Sequence, residues 1–297
     1  MNTRSNRGPG NRPAFTLVEV LVVIGVIGIL VSLLMCGVQK VRSAATRAAC
    51  ENNLKQIALA LHSYHDLHSG LPQRPETGQD ELSWMGFVLP HIEQDALWST
   101  TVQAFRTDRR AFHDPPHVGY RTVVKLYVCP DDGRLLAPLT DDAGNTAAYS
   151  SYVGIAGVRA PDGVLGPYPG VRLSDVTDGT SQTVMVGERP PPDSLRAGRW
   201  YTGSQDSRWG MDRGPGTTMF VLSPAWLTDP LCTGPVYSFS YGRLDNSCDR
   251  YHLWSLHPGG ANFAFADGSV RFLNYSAGDV LPALATRAGG EVVGMPD

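Results

Sequence analysis

The sequence predicts an α+β fold in which one long N-terminal helix precedes a loop-rich head domain of antiparallel β-sheet. Three observations predict it. The nineteen residues from Val20 to Val38 carry no charge, which is long enough to cross a hydrocarbon layer of about 30 Å as a helix. Residues 41–68 then contain no proline or glycine. Residues 71–297 carry 26 of the 32 glycines and 20 of the 22 prolines, between short β-branched and aromatic runs that are typical of strands and turns.

The composition excludes several classes of protein. With 297 residues, of which 42% are hydrophobic and 18% charged, the chain is neither disordered nor membrane-embedded throughout. Its 25 basic and 28 acidic residues give a net charge of -3, whereas a nucleic-acid-binding surface is strongly basic. We therefore expect no nucleic-acid partner. The five cysteines include no C-x-x-C pair, which argues against zinc ribbons, thioredoxin-like redox sites and haem attachment.

The second half of the predicted helix carries one apolar stripe. Its members follow the four-three spacing of a single helical face: Cys50, Leu54, Ile57, Leu61 and Tyr64. We expect this stripe to pack against the head domain. The helix is predicted to stop after His68, because Gly70 can adopt a left-handed conformation and Pro72 cannot continue a helix.

Two elements of the head are predicted with less definite boundaries. A shorter helix is indicated around Ser83–Thr100, where Pro90 would bend or cap it. A turn followed by an apolar strand is indicated at Leu173–Glu188, with Asp178 and Gly179 as the turn signal.

The clearest hairpin is predicted at Asn262–Leu273. Its turn signal is Asp267-Gly268, which is typical of a two-residue type I′ turn. The pairs that follow from such a turn are Phe265 with Val270, Phe263 with Phe272, Ala264 with Arg271, and Ala266 with Ser269. One face of the hairpin is then apolar and the other small or polar. We expect the phenylalanine face to cover the long helix.

The start of the chain carries a recognisable junction. The segment Arg12–Glu19, of sequence RPAFTLVE, joins a short basic leader to the apolar run, with one acidic residue just inside that run. It resembles the type IV prepilin motif. The resemblance implies that a prepilin peptidase cuts between Ala14 and Phe15, and that the new amino group of Phe15 is methylated. It also implies that Glu19 takes part in assembly with other pilin-like subunits. Most relatives carry glycine where this chain has Ala14.

The same resemblance implies a domain organisation and a location. Residues 1–14 would be the leader, 15–38 the transmembrane segment, 39–70 the continuation of the helix, and 71–297 the head, with an insertion at 190–256. The chain would cross the cytoplasmic (inner) membrane once, with its head outside the cytoplasm, and would reach the cell surface if it assembles. Basic residues flank the apolar run equally on both sides, so charge alone does not set this orientation.

Glu19 admits two interpretations. An ionised carboxylate near the centre of a membrane helix costs roughly 2.5–3.5 kcal/mol, so such residues are usually paired or functional. The free amine of Phe15 in a neighbouring subunit would be the partner. Alternatively, Glu19 lies close enough to the membrane surface to remain hydrated. An ordinary secretory signal is disfavoured because no A-x-A-like cleavage site follows the apolar run.

Several sequence blocks together resemble one large bacterial family of unknown function. The blocks are Cys50–Gln56, Tyr127–Asp131, Ser151–Gly157, Leu173–Glu188, and His257 followed after nine residues by Asp267-Gly268. Members of that family join a prepilin-type N-terminus to a β-rich head and end in this His, nine residues, Asp-Gly motif. The resemblance implies a pilin-like or pseudopilin-like envelope protein. It gives the motif residues His257, Asp267 and Gly268 no chemical task.

Three classes of function are compatible with these features. The favoured one is a structural subunit of a pilus-like or secretion-type assembly. The alternative is a non-polymerising, anchored ectodomain that displays a binding surface, with the aromatic-rich insertion as its candidate face. We expect no enzymatic activity, because none of the common nucleophile, metalloprotease, P-loop or dinucleotide motifs is present. His257 is interpreted as a loop residue that hydrogen-bonds to the turn carboxylate or to backbone.

No metal ligand or cofactor is assigned from the sequence. The helix residues His62, His65, His68 and Asp66 are interpreted as ordinary polar residues, because the third histidine is rotated away from the first. Calcium remains an option, with four candidate carboxylates: Asp131, Asp132, Asp175 and Asp178. No D-x-[DN]-x-[DN]-G loop supports it, and aspartate in such turns is normally explained by turn geometry.

The cysteines predict disulfide bonds, since the proposed orientation puts all but Cys36 in an oxidising compartment. The four remaining cysteines allow three pairings. A local bridge between Cys232 and Cys248 is favoured, because it closes a short loop and would stabilise the fold by about 3 kcal/mol. Cys50 would then pair with Cys129. The alternative for Cys50 is a small buried apolar residue on the helix stripe.

Overall fold

The computed structural model describes residues 17–72, 82–158, 162–165, 170–202, 217–222, 231–232, 237–291 and 294. The chain divides into two compact units, an N-terminal unit of residues 1–45 and a head unit of residues 46–297. The predicted leader, with the cleavage residues Ala14 and Phe15, lies outside the described residues. The head unit begins within the predicted helix continuation rather than after it.

The first helix, α1, spans Leu17–His68 and confirms the prediction of one long N-terminal helix. Four members of the predicted stripe are buried, since Cys50, Leu54, Ile57 and Leu61 are each 0% exposed, and the fifth, Tyr64, is partly buried. The helix ends with a left-handed residue, but that residue is Ser69 (φ 57°) and not Gly70. The amide of Ser69 donates to the carbonyl of His65 at 2.7 Å and closes the last turn, so the helix ends at His68 as predicted.

The predicted helix at 83–100 is three shorter pieces. The α-helix α2 spans Trp84–Phe87 and a 3-10 turn spans Leu89–Ile92, while α3 spans Asp95–Thr107 and ends later than predicted. Pro90 lies at the start of the 3-10 turn, because its missing N–H is tolerated only in a first turn. Glu93 adopts a left-handed conformation (φ 60°) and separates that turn from α3.

The described part of the head contains a two-stranded and a five-stranded sheet. The strands are β1 (Leu139–Thr140), β2 (Thr146–Ala147), β3 (Tyr152–Gly157), β4 (Val184–Glu188), β5 (Thr218–Phe220), β6 (Gly260–Phe265) and β7 (Val270–Asn274). In the larger sheet the order is β5-β3-β4-β6-β7. Its pairs are antiparallel except for β3 with β5, which are parallel. The α+β class is therefore confirmed.

The predicted hairpin forms, but its predicted register was wrong by one residue. Phe263 pairs with Arg271 and Ala264 with Val270. A type I′ turn needs a positive φ at both central residues, and here Gly268 alone has one, at 80°. The amide of Gly268 donates to the carbonyl of Phe265 at 2.9 Å, so the loop is a three-residue connection that ends in a left-handed glycine.

The larger sheet separates two core clusters. The first contains Leu54, Ile57 and Leu61 of the α1 stripe together with Ala264 and Ala266 of the hairpin. The second contains Phe263 and Phe265, with the short C-terminal helix α4 (Leu281–Leu284).

The expectation that the phenylalanine face covers the long helix was therefore wrong for Phe263 and Phe265 of β6. The β7 members of the predicted face do lie on the helix side, since Val270 packs against the first cluster and the Phe272 ring lies 4.8 Å from the guanidinium of Arg47. The alanine face of β6 lies there instead, and the small side chains allow a close approach, in which Lys55 Nζ donates to the carbonyl of Gly268 at 2.6 Å.

Most of the aromatic side chains that the structure describes in the predicted 190–256 insertion contribute to the core, whereas Tyr241 is 71% exposed. Trp200 and Tyr201 are both 0% exposed and belong to the first cluster. Trp254 is 1% exposed, and its indole N–H donates to the carbonyl of Asp249 at 3.1 Å. Trp209 and Trp226 lie outside the described residues. The buried aromatic side chains are not available as the displayed surface that the alternative function assumes.

Candidate functional site

Among the described residues, α1 is the helix that is long and apolar enough to cross a membrane, and none of its most apolar 18-residue window is buried inside the protein. Side chains stay exposed from its start, at Leu17 (77%), to Leu34 (69%). A helix that is hydrophobic on all sides is typical of a membrane span.

Glu19 lies in the first turn of this helix, and its side chain is exposed. A carboxylate at that position also interacts favourably with the positive end of the helix dipole, by about 0.3–1 kcal/mol. The position is therefore compatible both with a Glu19 that pairs with a neighbouring amine and with a Glu19 that remains hydrated at the membrane surface.

The head unit contains a buried cluster of four residues with metal-ligand side chains. Cys50 comes from α1 and Cys129 from the loop before β1. Glu188 comes from the end of β4 and His257 from the loop before β6. Their sulfur, oxygen and nitrogen atoms all lie within 4.8 Å of one another. Each residue is at most 3% exposed. The cluster brings together residues that are up to 207 positions apart in the chain.

The His257 imidazole lies between two carboxylates. Its Nε2 is 3.3 Å from Glu188 Oε1 and its Nδ1 is 3.3 Å from Asp131 Oδ2. Nε2 is also 3.6 Å from Cys129 Sγ. His257 was interpreted as bonding to the turn carboxylate or to backbone, and among the described residues its ring does neither: Nδ1 has no hydrogen-bond partner, and Nε2 contacts the side chains of Cys129 and Glu188. Asp267 instead accepts hydrogen bonds from its own turn, from the amide of Ser269 at 2.8 Å and the hydroxyl of Ser269 at 2.7 Å.

Glu188 is the residue of this cluster that the sequence analysis missed as a site residue. Its Oε2 accepts a hydrogen bond from the amide of Asn262 at 2.6 Å, whereas its Oε1 accepts none of acceptable geometry. The sequence held one signal for it. Glu188 ends the apolar run Val184–Glu188, every residue of which is buried, and a buried carboxylate needs compensating partners.

The pKa values of two groups beside the cluster are also strongly shifted. Burial, and to a lesser extent the charge of Glu188, raises the pKa of the Tyr152 hydroxyl well above its usual range. Burial, together with the nearby charge of Arg250, lowers the pKa of Arg189 to about 9. Arg189 Nη1 donates to the carbonyl of Arg250 at 3.2 Å. The cluster therefore lies in a region where charge is poorly solvated.

The structure joins Cys50 to Cys129 and Cys232 to Cys248 as disulfides, the two pairings that the sequence analysis favours. The Cα atoms are 5.5 Å apart in each pair, which is the usual separation. The first bridge ties α1 to the segment before β1. Close to it, Asn53 Nδ2 donates to the carbonyl of Val128 at 3.1 Å.

The four carboxylates considered for calcium each make contacts with different neighbouring groups. Asp132 Oδ2 is 2.7 Å from Arg134 Nη2, and Asp178 accepts from the amides of Gly289 and Gly290 at 2.7 and 2.8 Å. Asp175 accepts from the amide of Arg172 at 3.1 Å. Asp131, in contrast, accepts from the Thr46 hydroxyl at 3.0 Å and faces His257.

The helix histidines also make local contacts. His68 stacks on Tyr64, with ring centroids 4.0 Å apart, and its Nδ1 lies 2.9 Å from the carbonyl of Tyr64. His65 Nε2 accepts a hydrogen bond from the amide of Leu173 at 3.2 Å. His62 Nε2 lies near the hairpin turn at Gly268.

The exposed apolar helix and the motif at its start define a membrane-anchored, type IV pilin-like protein. Residues 10–35 match the family described as Prokaryotic N-terminal methylation motif, which implies processing by a prepilin peptidase and association with pilin-like subunits. Residues 39–279 match the family described as Protein of unknown function (DUF1559), and the chain belongs to that family. Comparison with curated proteins and with solved structures finds no match.

Proposed function

We propose that the chain is a structural subunit of a pilus-like or secretion-type assembly, in which the N-terminal helices of neighbouring copies pack together. One observation carries the proposal: the first half of α1 is apolar and exposed around its whole circumference. The four consecutive side chains Leu21, Val22, Val23 and Ile24 are 50–60% exposed. A helix that packs only on its own head would instead show one apolar stripe and a polar face.

Three glycines support close packing between such helices. A Cβ atom added at Gly25, Gly28 or Gly37 would meet nothing within 4 Å, so these positions have no packing role within the described chain. Small residues let membrane helices approach closely. Glycine is also frequent in membrane helices in general, so these positions support the proposal without carrying it alone.

Glu19 supplies the specific contact in the proposed assembly. After cleavage between Ala14 and Phe15, the amine of Phe15 in a neighbouring subunit would pair with the Glu19 carboxylate and set the axial register. Such a pair would join opposite charges at the membrane end of α1, where ionisable residues are usually paired or functional. The role is non-enzymatic, with the anchor in the cytoplasmic membrane and the head outside the cytoplasm.

A second candidate function is an anchored ectodomain that binds a ligand without polymerising. The observation in its favour is a cavity of about 700 Å³ in the head unit, which is within the usual size range of small-molecule sites. Its lining includes Tyr64, Leu82, Phe87, Trp98, Phe105 and Arg106. This cavity is a better candidate than the aromatic insertion, whose described tryptophans are buried.

Electron microscopy of envelope fractions distinguishes the two candidates. The head would carry a C-terminal epitope tag, and the label would be followed with gold-conjugated antibody in fractions prepared without detergent. The proposal predicts rows of label along fibres or short filaments. Single labels scattered over membrane sheets, with fibres absent, would contradict it and favour the non-polymerising ectodomain.

A further inference from the structure

We propose that Cys50, Cys129, Glu188 and His257 form a zinc-class metal site when the two cysteines are in the dithiol state. The site is independent of the assembly role proposed above. It depends on the head unit alone, where the four ligand atoms lie within 4.8 Å of one another and the residues are buried.

The donor set and its spacing suit tetrahedral zinc. Zinc binds thiolate sulfur at about 2.3 Å and imidazole nitrogen or carboxylate oxygen at about 2.0–2.2 Å, usually with four ligands. Those bond lengths place nitrogen and oxygen ligands about 3.3 Å apart and nitrogen and sulfur ligands about 3.6 Å apart. His257 Nε2 is 3.3 Å from Glu188 Oε1 and 3.6 Å from Cys129 Sγ. The imidazole and the carboxylate therefore already occupy two corners of such a site.

The surroundings place a carboxylate beside the second ring nitrogen of His257. A ligating histidine generally donates that N–H to a carboxylate, and Asp131 Oδ2 lies 3.3 Å from His257 Nδ1, in a contact that lacks the geometry of a hydrogen bond. The amide of Asn262 holds Glu188 Oε2, which leaves Oε1 facing the cluster without a hydrogen-bond donor. Because Glu188 is only 1% exposed, solvent does not compensate that oxygen, and a cation would.

Metal binding and the disulfide are alternative states of the same two sulfur atoms. A dithiol reductant would break the Cys50–Cys129 bond. It would pass two electrons and two protons to the cysteines, and would itself become a disulfide. Zinc would then displace the two thiol protons to solvent and bind two thiolates. Both states crosslink α1 to the segment before β1, through a covalent bond in the disulfide and through coordinate bonds in the zinc complex.

The second disulfide provides a matched control. Cys232 and Cys248 are joined in the same way, but within the described residues they belong to no group of three or more ligand side chains. Reduction of that bridge should therefore create thiols without a complete metal site.

The test is cobalt and zinc binding by the full-length chain in detergent, measured before and after reduction with a phosphine and removal of the reductant. We expect the oxidised chain to bind neither metal at the cluster. The reduced chain should bind one equivalent of Co²⁺ with the visible absorption of a tetrahedral thiolate complex, and Zn²⁺ should displace it. The variants His257→Gln and Glu188→Gln should lose this spectrum, whereas the double variant Cys232→Ser with Cys248→Ser should retain it.

Asp131→Asn keeps all four ligands and tests the orientation of His257. It should weaken Zn²⁺ binding about 10–100-fold, the usual effect of removing a group that orients a ligand. The proposal is overturned if the reduced chain gives no tetrahedral thiolate spectrum, whether or not its head stays folded by circular dichroism. It is equally overturned if the spectrum persists in His257→Gln and Glu188→Gln but disappears in the Cys232 and Cys248 double variant.

Discussion

Glu19→Ala is expected to abolish crosslinking between subunits while leaving insertion of the chain in the membrane intact. Glu19 lies in the first turn of α1, beside the predicted mature amino terminus. Without its carboxylate, the amine of a neighbouring Phe15 would have no partner in the membrane. Insertion should improve slightly, because the carboxylate's desolvation cost of up to roughly 3 kcal/mol is removed. A photo-crosslinking residue at Leu30, exposed by 60%, would report oligomers directly.

The matched control for this change is Glu51→Ala. Glu51 is an exposed glutamate of the same helix, but it belongs to the head unit. We expect wild-type crosslinking in this variant and at least a tenfold loss in Glu19→Ala, which corresponds to about 1.4 kcal/mol or more of lost interaction. Equal crosslinking in the two variants would count against a role of Glu19 in assembly.

Leu61→Ala is expected to destabilise the head unit by about 2–5 kcal/mol. Leu61 is 0% exposed and lies in the first core cluster, with Ala264 and Ala266 of the hairpin. Truncation to alanine would remove its buried apolar contacts and leave a cavity that the disulfide-tied helix could not easily fill. For a domain of this size, the loss would lower the melting temperature by about 5–15 °C. Thermal unfolding of the detergent-solubilised chain, followed by near-ultraviolet circular dichroism, measures it.

Leu59→Ala is the control, since it makes the same chemical change two residues away. Leu59 is 55% exposed, so we expect a change within about 0.5 kcal/mol. If both variants melted at the wild-type temperature, the second half of α1 would not be part of the head core. If both variants were equally destabilised, the loss of stability would come from leucine-to-alanine substitution anywhere in the helix and not from the buried stripe.

The long helix and its buried face could be predicted from the sequence because both depend on local patterns. The nineteen uncharged residues from Val20 to Val38 and the four-three spacing of the stripe require no knowledge of the rest of the chain. The end of the helix at His68 was predicted, but the residue that takes the left-handed conformation after it was not. Both Ser69 and Gly70 could adopt the left-handed conformation, and the closing hydrogen bond from Ser69 to His65 selects the first of them.

The hairpin shows where local patterns are insufficient. Asp267-Gly268 is compatible with a two-residue turn and with a three-residue turn that ends in glycine. The choice between them shifts the register by one residue and exchanges the two faces of β7 relative to β6. Packing against α1 selects the small alanine face of β6. That selection depends on the distance between the helix and the sheet, and the sequence of the hairpin carries no information about this distance.

The buried cluster could be predicted only in part. Cys50 and Cys129 could be paired by elimination, and His257 belongs to a recognisable motif, but Glu188 appeared only as the last residue of an apolar strand. The four residues meet because β4 and β6 are neighbours in the sheet and α1 packs beside them. That topology is a long-range property, so sequence spacing alone indicated no metal site.

Mass spectrometry of the mature amino terminus most directly tests whether this chain is a processed, pilin-type subunit. The protein would be purified from membranes of cells with an active prepilin peptidase, and its N-terminal peptide compared with that from cells lacking the enzyme. We expect the mature chain to begin with N-methylated Phe15, and the leader to be retained without the peptidase. An intact Met1 in both strains, or a cut beyond residue 30, would contradict the assignment and indicate an ordinary signal anchor or signal peptide.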